Sequence, residues 1–145
     1  MLETATALMC MAHAIYFEAR SESTVGQLAV GQVIINRVSD HRFPDTVCEV
    51  VTDGLRYSWD NRKIVRNKCA FSFYCDGKPE HISDKQAYSW AEELSYAIIN
   101  NHVSIDVTDG STHYHAHYVQ PYWKDAFTQT VRINTHIFYR WEMPE

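Results

Sequence analysis

One stretch of the chain limits the folds that it can adopt. Residues 24–39 have the sequence TVGQLAVGQVIINRVS. On a helix, at about 100° per residue, their apolar side chains occupy much of the circumference, which is typical of a mostly buried helix. The chain has 145 residues, and a chain of this size buries roughly 68–70% of the surface that it exposes when unfolded. We therefore predict one domain, residues 1–145, in which other elements cover this helix.

Helical patterns recur in three other places. Residues 3–19 have helical spacing, and so do residues 84–101, for which Asp84 is a suitable N-cap. A shorter helix is expected between them, with Asp45 or Thr46 as its cap. These helices account for more of the chain than any predicted strand.

The remaining segments predict a small β region. Residues 55–68 are polar and basic, and we expect a loop there. Residues 69–79, CAFSFYCDGKP, have the composition of a strand followed by an Asp-Gly turn. Residues 112–119 alternate as a strand does, and residues 131–140 are a candidate for another. The predicted fold class is α+β, mainly helical.

The charge and the hydropathy of the chain argue against two classes of partner. The formal net charge is -5 and no Lys/Arg-rich block is present, so we expect no nucleic acid partner. No apolar run approaches the roughly 20 residues that span a bilayer, so we expect no membrane insertion. The first 20 residues lack the positive leader and cleavage site of a secretory signal. We expect a soluble monomer that is made in the cytoplasm.

The cysteines do not suggest a metal site. Cys10, Cys48, Cys69 and Cys75 form no CxxC pair, so a structural zinc site is not indicated. Cys10 falls within the first helical pattern and is expected to be a buried free thiol. The other three cysteines then allow at most one disulfide.

An acidic residue falls on the apolar face of the first helix. Glu18 follows Leu8, Met11 and Ile15 at steps of three and four residues, so it continues their face. Apolar neighbours raise the pKa of a carboxyl group, which can then remain protonated near neutral pH. A glutamic acid of this kind acts as the general acid in glycosidic-bond cleavage. The alternative is a helix-terminal Glu18 that pairs with Arg20 or faces water.

A series of sequence pieces extends this hypothesis. In order along the chain they are YFEAR, GQLAVGQVIINRV, FPDTVCEVV, CAFSFYCDG, THYHAHYVQPYW and HIFYR. Together they resemble the SleB-like cell-wall hydrolases, a family that includes spore-cortex-lytic enzymes and several phage lysins. The resemblance runs from residue 12 to residue 141, nearly the whole chain. One departure is Ser21, where relatives commonly have glycine.

The resemblance implies a lysozyme-like, lytic-transglycosylase-like domain that cleaves the glycan strand of peptidoglycan without a cofactor or metal. It implies that Glu18 is the catalytic acid. Tyr114, His115 and Trp123 match the recurring pattern hYha…vxPxW and are expected to shape the substrate groove. Compact size and the missing export signal favour a phage endolysin that reaches the wall with a holin. An exported bacterial enzyme trimmed of its other parts would have the same features.

One carboxylate is sufficient for a lytic transglycosylase. Its glutamic acid protonates the oxygen between N-acetylmuramic acid and N-acetylglucosamine, and the resulting carboxylate then removes the proton of the muramic C6 hydroxyl. The alternative is a muramidase-type hydrolase, in which a second carboxylate orients water. The candidates for that second group are Glu22, Asp76 and Asp109.

Four polar residues are further candidates around the groove. Gln32 and Asn36 share one face of the second helix, and buried amides must form hydrogen bonds. We expect them to support the scaffold rather than to bind substrate. Ser72 and Tyr74 share one face of the strand predicted over residues 69–79, and this face could line a sugar groove.

Three histidines support a rival hypothesis. On a strand, His113, His115 and His117 share one face, and a zinc ion held there could make the protein a peptidoglycan amidase. Successive same-face residues are about 7 Å apart, however, so three such ligands converge poorly on one ion. A third class is a non-catalytic glycan-binding module.

Overall fold

The computed structural model describes residues 2–143, and side chains from residue 5 onward. The described chain is α+β and mainly helical, so this prediction is confirmed. Two short 3₁₀ turns, Ser72–Tyr74 and Lys124–Ala126, accompany the regular elements. In chain order these are α1 (Leu2–Ala19), α2 (Thr24–Val38), α3 (Val47–Val51), β1 (Gly54–Tyr57), β2 (Asp60–Cys69), α4 (Lys85–Ile99), β3 (His113–Ala116), β4 (Thr128–Ile133) and β5 (His136–Arg140).

Helix α2 is mostly buried, as its apolar circumference predicts. The other three helices all contact it. Val30 and Ile34 are fully buried in a core that they share with Met11 of α1. A Cβ atom at Gly31 would lie 2.5 Å from Cδ1 of Ile98, so the glycine allows α4 to approach closely. The helical half of the molecule is therefore built around α2.

The helix ends follow the predicted capping residues. The Thr46 hydroxyl accepts a hydrogen bond from the Glu49 backbone N–H at 3.1 Å, and it caps α3. The Asp84 carboxylate accepts from the Ala87 N–H at 3.0 Å and caps α4. These bonds satisfy N–H groups that have no partner within the helix. Within residues 2–143, none of the helices is long and apolar enough to span a membrane.

Two predictions for the middle of the chain are wrong. Residues 55–68 are not a loop, because β1 and β2 form an antiparallel hairpin. Most side chains of β2 are at least partly exposed, so no alternation of apolar and polar residues reveals the strand. Residues 69–79 are not a strand. Six extended residues would separate Cys69 and Cys75 by roughly 20 Å, whereas their Cα atoms are 6.2 Å apart.

The C-terminal sheet has the strand order β3-β5-β4, and both pairs are antiparallel. The candidate strand over 131–140 is in fact parts of two strands. Asn134 has a φ of 53°, the left-handed conformation that a tight turn requires, and β5 starts two residues later. Phe138 of β5 is fully buried against Ala29 and Val33 of α2. The sheet is thus fixed to the helix that organises the fold.

All four cysteines form disulfides, so the prediction of a free Cys10 is wrong. Cys10 is bonded to Cys48 and joins α1 to α3, with Cα atoms 5.3 Å apart. Cys69 is bonded to Cys75 across the turn that follows β2. Sequence spacing shows that Cys10 lies on a helix but not that α3 packs against it. This packing brings the two thiols within reach of each other.

Candidate active site

A cleft of about 310 Å³ lies at the C-terminal end of α1. The segment that leads from β2 into the first 3₁₀ turn forms one wall. Strand β3 and the residues that follow it form the other. The lining residues are Glu18, Arg37, Ala70, Phe71, Ser72, Tyr114, His115, Ala116 and Val119. Four residues that were predicted for the site, Glu18, Ser72, Tyr114 and His115, therefore meet in one cleft.

The surroundings of Glu18 favour the protonated form of its carboxyl group. The pKa of its carboxyl group is raised to about 7, chiefly by burial, and the nearby charge of Asp76 contributes to the increase. A hydrogen bond from the Ser72 backbone opposes this shift because it stabilises the ionised form. The balance leaves both protonation states populated near neutral pH. A group of this kind can donate a proton and later accept one.

The residues that precede Glu18 on α1 are packed into the core. Tyr16 is fully buried, and the ring of Phe17 stacks on Phe73 with centroids 5.2 Å apart. The alternative ion pair of Glu18 with Arg20 is not formed. Arg20 instead donates a hydrogen bond to the Tyr16 hydroxyl, and its guanidinium lies over the Tyr16 ring at 4.8 Å. Glu18 thus keeps a carboxyl group without a basic partner among the described ion pairs.

Tyr114 lines the cleft together with two ionisable residues, Glu18 and Arg37. Burial raises the pKa of its hydroxyl well above the usual value, and the charge of Glu18 raises it further. The charge of Arg37 acts in the opposite direction. The hydroxyl therefore stays protonated at any physiological pH. It is available as a neutral hydrogen-bond donor within the cleft.

His115 is held by hydrogen bonds at both ring nitrogens. Nδ1 is 2.7 Å from the Ala116 carbonyl oxygen, and Nε2 is 2.7 Å from the Tyr139 hydroxyl. Since a carbonyl oxygen only accepts, Nδ1 carries the proton and Nε2 accepts from Tyr139. The ring also stacks on the Tyr139 ring at 5.3 Å. Neither nitrogen of this histidine is left free to bind a metal ion.

The other two histidines do not complete a zinc site. His113 is packed between aromatic rings, 4.3 Å from the Phe127 centroid, and burial lowers the pKa of its imidazole to about 4. His117 lies beyond the end of β3, where its backbone N–H donates to Thr135. In the part of the chain that the structure describes, no three His, Cys, Asp or Glu side chains are placed to hold a metal ion. Strand β3 includes His113 and His115 but not His117, so the three histidines do not share one strand face as predicted.

The structure separates Ser72 from Tyr74. Ser72 is exposed and lines the cleft beside Glu18. Tyr74 lines a different surface depression, together with Ile64 and Arg66. Their common face was predicted for an extended strand, and the 3₁₀ turn turns the two side chains in different directions. Tyr74 is therefore not part of the cleft wall.

Trp123 lies behind the cleft rather than on its wall. Its ring is 5.1 Å from His113, 5.7 Å from His115 and 5.4 Å from Tyr139, measured between centroids. These contacts form an aromatic cluster next to β3. Trp123 thus packs against the ring of His115 without lining the cleft.

Gln32 and Asn36 hold the loop that leads into β3. The Gln32 amide donates to the Ile105 carbonyl at 2.8 Å and accepts from the Val107 N–H at 2.9 Å. The Asn36 amide donates to the Ser111 carbonyl at 2.9 Å. These contacts are bonds to the scaffold and not to the cleft. They fix the start of the strand that carries three cleft residues, Tyr114, His115 and Ala116.

The three candidate second carboxylates have different environments. Glu22 accepts hydrogen bonds from the Thr135 backbone N–H and hydroxyl, at 3.1 and 2.7 Å. Asp109 is an exposed residue that pairs with Arg140 at 3.1 Å. Asp76 is the one whose charge acts on Glu18. None of the three is among the residues that line the cleft.

Sequence reasoning missed Arg37, which lines the cleft from the last turn of α2. Its Nε donates to the Thr112 carbonyl at 2.7 Å, and its guanidinium lies over the rings of Phe43 and Phe71 at 4.7 and 5.7 Å. The available signal was a single basic residue in a mostly apolar helix. That position also fits a helix C-terminus, where arginine is common.

An α+β fold that presents a partly buried glutamic acid to a cleft is the arrangement of lysozyme-type general acid catalysts. The chain belongs to the Cell Wall Hydrolase family, which matches residues 21–139. Glu18 lies just before the matched region, so its role is inferred from the cleft and not from the family match.

The chain is similar to several named proteins. It is 31% identical to the spore cortex-lytic enzyme of Halalkalibacterium halodurans over 133 residues, which is 90% of this chain and 34% of that protein. It thus spans about a third of the length of this curated relative. It also resembles the catalytic domain of the germination-specific lytic transglycosylase SleB from Bacillus anthracis, with a TM-score of 0.69 and 27% identity over 92% of this chain and 93% of that one. The Bacillus cereus SleB catalytic domain gives a TM-score of 0.66 and 28% identity, over 92% and 89%.

Proposed function

We propose that this chain cleaves the glycan strand of peptidoglycan between N-acetylmuramic acid and N-acetylglucosamine, as a lytic transglycosylase with Glu18 as its acid and then its base. The observation that carries the proposal is the Glu18 carboxyl group, which faces the cleft with a pKa of about 7. The solved relative that is named a lytic transglycosylase supports the reaction type.

Glu18 acts twice in one turnover. Its protonated form donates to the bridging oxygen, and the bond from that oxygen to the anomeric carbon of muramic acid breaks. The carbonyl of the substrate's own N-acetyl group stabilises the electron-poor carbon. The Glu18 carboxylate then removes the proton of the C6 hydroxyl, whose oxygen bonds to the anomeric carbon and closes the anhydro ring. Glu18 ends the cycle protonated, so no cofactor, metal ion or water is consumed.

The cleft walls suggest roles for its polar residues. Tyr114 can donate a hydrogen bond to the sugar next to Glu18, since its hydroxyl remains protonated. Ser72 is exposed on the opposite wall and can contact the glycan. His115 and Trp123 position β3 through the aromatic cluster, and Gln32 and Asn36 do so through the loop before it. Tyr74 has no role in this scheme, because it lies on another surface.

A muramidase-type hydrolase is the second candidate, and the effect of Asp76 on Glu18 favours it. Asp76 is close enough for its charge to raise the pKa of the Glu18 carboxyl group. A carboxylate near the acid can orient water on the sugar. The products separate the two reactions, since hydrolysis leaves a reducing end and no anhydro ring. The zinc amidase has less support, because both nitrogens of His115 are already hydrogen-bonded.

The proposal includes the setting in which the enzyme acts. Disulfides persist in oxidising compartments, and both disulfides of this chain therefore support action in the periplasm or at the cell wall. A phage endolysin released with the help of a holin fits this setting, as does an exported bacterial enzyme. The enzyme is expected to act as a monomer on its polymeric substrate.

Mass spectrometry of muropeptides released from purified sacculi tests the proposal. The unmodified protein should release fragments with anhydro-muramic ends, and Glu18→Gln should release none. Glu93→Gln removes the same charge from an exposed position on α4 and should retain full activity. Reducing ends would favour the hydrolase, and free stem peptides would overturn glycan cleavage altogether.

A further inference from the structure

Arg37 is a partly buried cation without an anionic partner. Three arginines of the described chain, Arg42, Arg62 and Arg140, form ion pairs with carboxylates. Arg37 forms none among the described residues, and its guanidinium makes one hydrogen bond there, from Nε to the Thr112 carbonyl. The two terminal amino groups therefore have no partner within the described chain.

This arrangement is costly unless something compensates for it. A charge that is removed from water without a counter-ion destabilises the fold. Burial accordingly lowers the pKa of the Arg37 guanidinium, although the charge of Asp53 opposes this effect. The rings of Phe43 and Phe71 supply a cation–π contact, which compensates for part of the loss.

Contacts on two sides hold the guanidinium of Arg37 in place. Nε is used by Thr112 on one side, and the two aromatic rings restrict the plane of the guanidinium. The same side chain lines the cleft that contains Glu18. The charges of Arg37 and Glu18 both act on the Tyr114 hydroxyl, so they flank one residue of the site. A guanidinium held in this way matches the two oxygens of a carboxylate.

We propose that Arg37 binds a carboxylate carried by the lactyl side chain of the muramic acid residue that Glu18 cleaves. The proposal rests on the glycan substrate given above. That side chain lies on the same sugar ring as the anomeric carbon, so one residue can reach both Glu18 and Arg37. Where the stem peptide is absent, the ligand is the lactyl carboxylate itself. Where the peptide is present, the ligand is a free carboxylate of the peptide.

Binding to the inactive Glu18→Gln protein measures this contact without turnover. The probe is a purified disaccharide fragment without peptide, with its lactyl carboxylate either free or converted to a methylamide. Removal of a charged hydrogen-bond partner weakens binding by about 10- to 100-fold. We expect that difference between the two probes in Glu18→Gln, a smaller one in Glu18→Gln/Arg37→Lys, and none in Glu18→Gln/Arg37→Gln. Arg62→Gln removes an exposed charge, with 87% of the side chain accessible, and should change nothing.

A second pair of probes identifies the source of the carboxylate. Peptide-bearing fragments are compared with the same fragments after their peptide carboxylates have been neutralised. A preference for the charged form that disappears with Arg37→Gln assigns the contact to the peptide. A preference seen in the peptide-free pair alone assigns it to the lactyl group.

Two results would overturn the proposal. One is equal binding of the charged and neutral probes by Glu18→Gln in both the peptide-free and the peptide-bearing pair, a comparison that needs no change at Arg37 and so does not depend on the folding of an Arg37 variant. The other is an equal loss of affinity for both probes when Arg37 is replaced, which indicates a structural role. Failure of the catalytic proposal has a different signature, since the unmodified protein would then leave sacculi uncut while still preferring the charged probe.

Discussion

Cys69 and Cys75 form a disulfide that encloses the segment from which the Ser72 backbone donates a hydrogen bond to Glu18. The wall of the cleft opposite β3 is thus part of a short covalent loop. The other disulfide, between Cys10 and Cys48, joins two helices outside the cleft. We therefore expect the Cys69–Cys75 disulfide to affect mainly activity and the Cys10–Cys48 disulfide to affect mainly stability.

Replacement of Cys69 and Cys75 by serine should lower the turnover rate strongly and the free energy of unfolding only modestly. In the chain-entropy model, a loop with a sequence separation of 6 contributes about 2 kcal/mol, whereas a misplaced cleft wall lowers the rate by about 10- to 100-fold. The matched control replaces Cys10 and Cys48, whose separation of 38 corresponds to about 4 kcal/mol. That variant should melt at a lower temperature but keep its activity per folded molecule. Thermal melting and muropeptide release measure both, and equal activity of the two variants would refute the assignment.

The activity should decrease as the pH rises through about 7. Glu18 must be protonated to donate, and the pKa of its carboxyl group is about 7. Above that value the protonated fraction falls tenfold per pH unit, and kcat/KM should fall with it. Initial rates on a soluble glycan between pH 5 and pH 9 measure this limb. A limb near pH 4.5 would contradict the raised pKa.

Most of the helical frame could be predicted from the sequence, but the walls of the cleft could not. The periodicity of α2 and the caps at Thr46 and Asp84 are local signals, so they survive without knowledge of the fold. The turn that carries Ser72 depends on a disulfide partner six residues away, and strand-like composition cannot reveal it. Arg37 is similar: its position fits an ordinary helix C-terminus, and its place in the cleft follows from packing.

Glu18→Gln should stabilise the protein at neutral and alkaline pH. The pKa of the Glu18 carboxyl group is raised in the folded state, to about 7 from 4.5, so the folded state binds its proton more tightly. Its contribution to stability is therefore full below pH 4.5, decreases between 4.5 and about 7, and is absent above that range. The ionised group then costs up to about 3 kcal/mol, which glutamine avoids. Melting temperatures at pH 4 and pH 8 should diverge between the two proteins, and a constant difference would show that burial does not set this pKa.

Asp76→Asn should move the alkaline limb of activity to lower pH. The negative charge of Asp76 raises the pKa of the Glu18 carboxyl group, so its removal lowers that pKa. Burial is the larger cause of the shift, and the limb should therefore move only part of the way toward 4.5. Asp109→Asn is the matched control, since that carboxylate pairs with Arg140 and lies in an exposed position. A complete loss of turnover at every pH would instead assign Asp76 as the second carboxylate of a hydrolase.

Glu22→Ala should destabilise the fold without changing the chemistry. The Glu22 side chain is 7% exposed, and its carboxylate accepts two hydrogen bonds from Thr135 in the turn between β4 and β5. Oε1 accepts both bonds, so this oxygen is committed to the turn. Loss of the acceptor leaves the Thr135 N–H unsatisfied, which costs about 1–3 kcal/mol. Chemical denaturation should show this loss, while turnover per folded molecule and its pH limb stay unchanged. Glu93→Ala, at an exposed position, should change neither quantity. A folded Glu22→Ala protein that no longer cuts glycan would make Glu22 the water-orienting group.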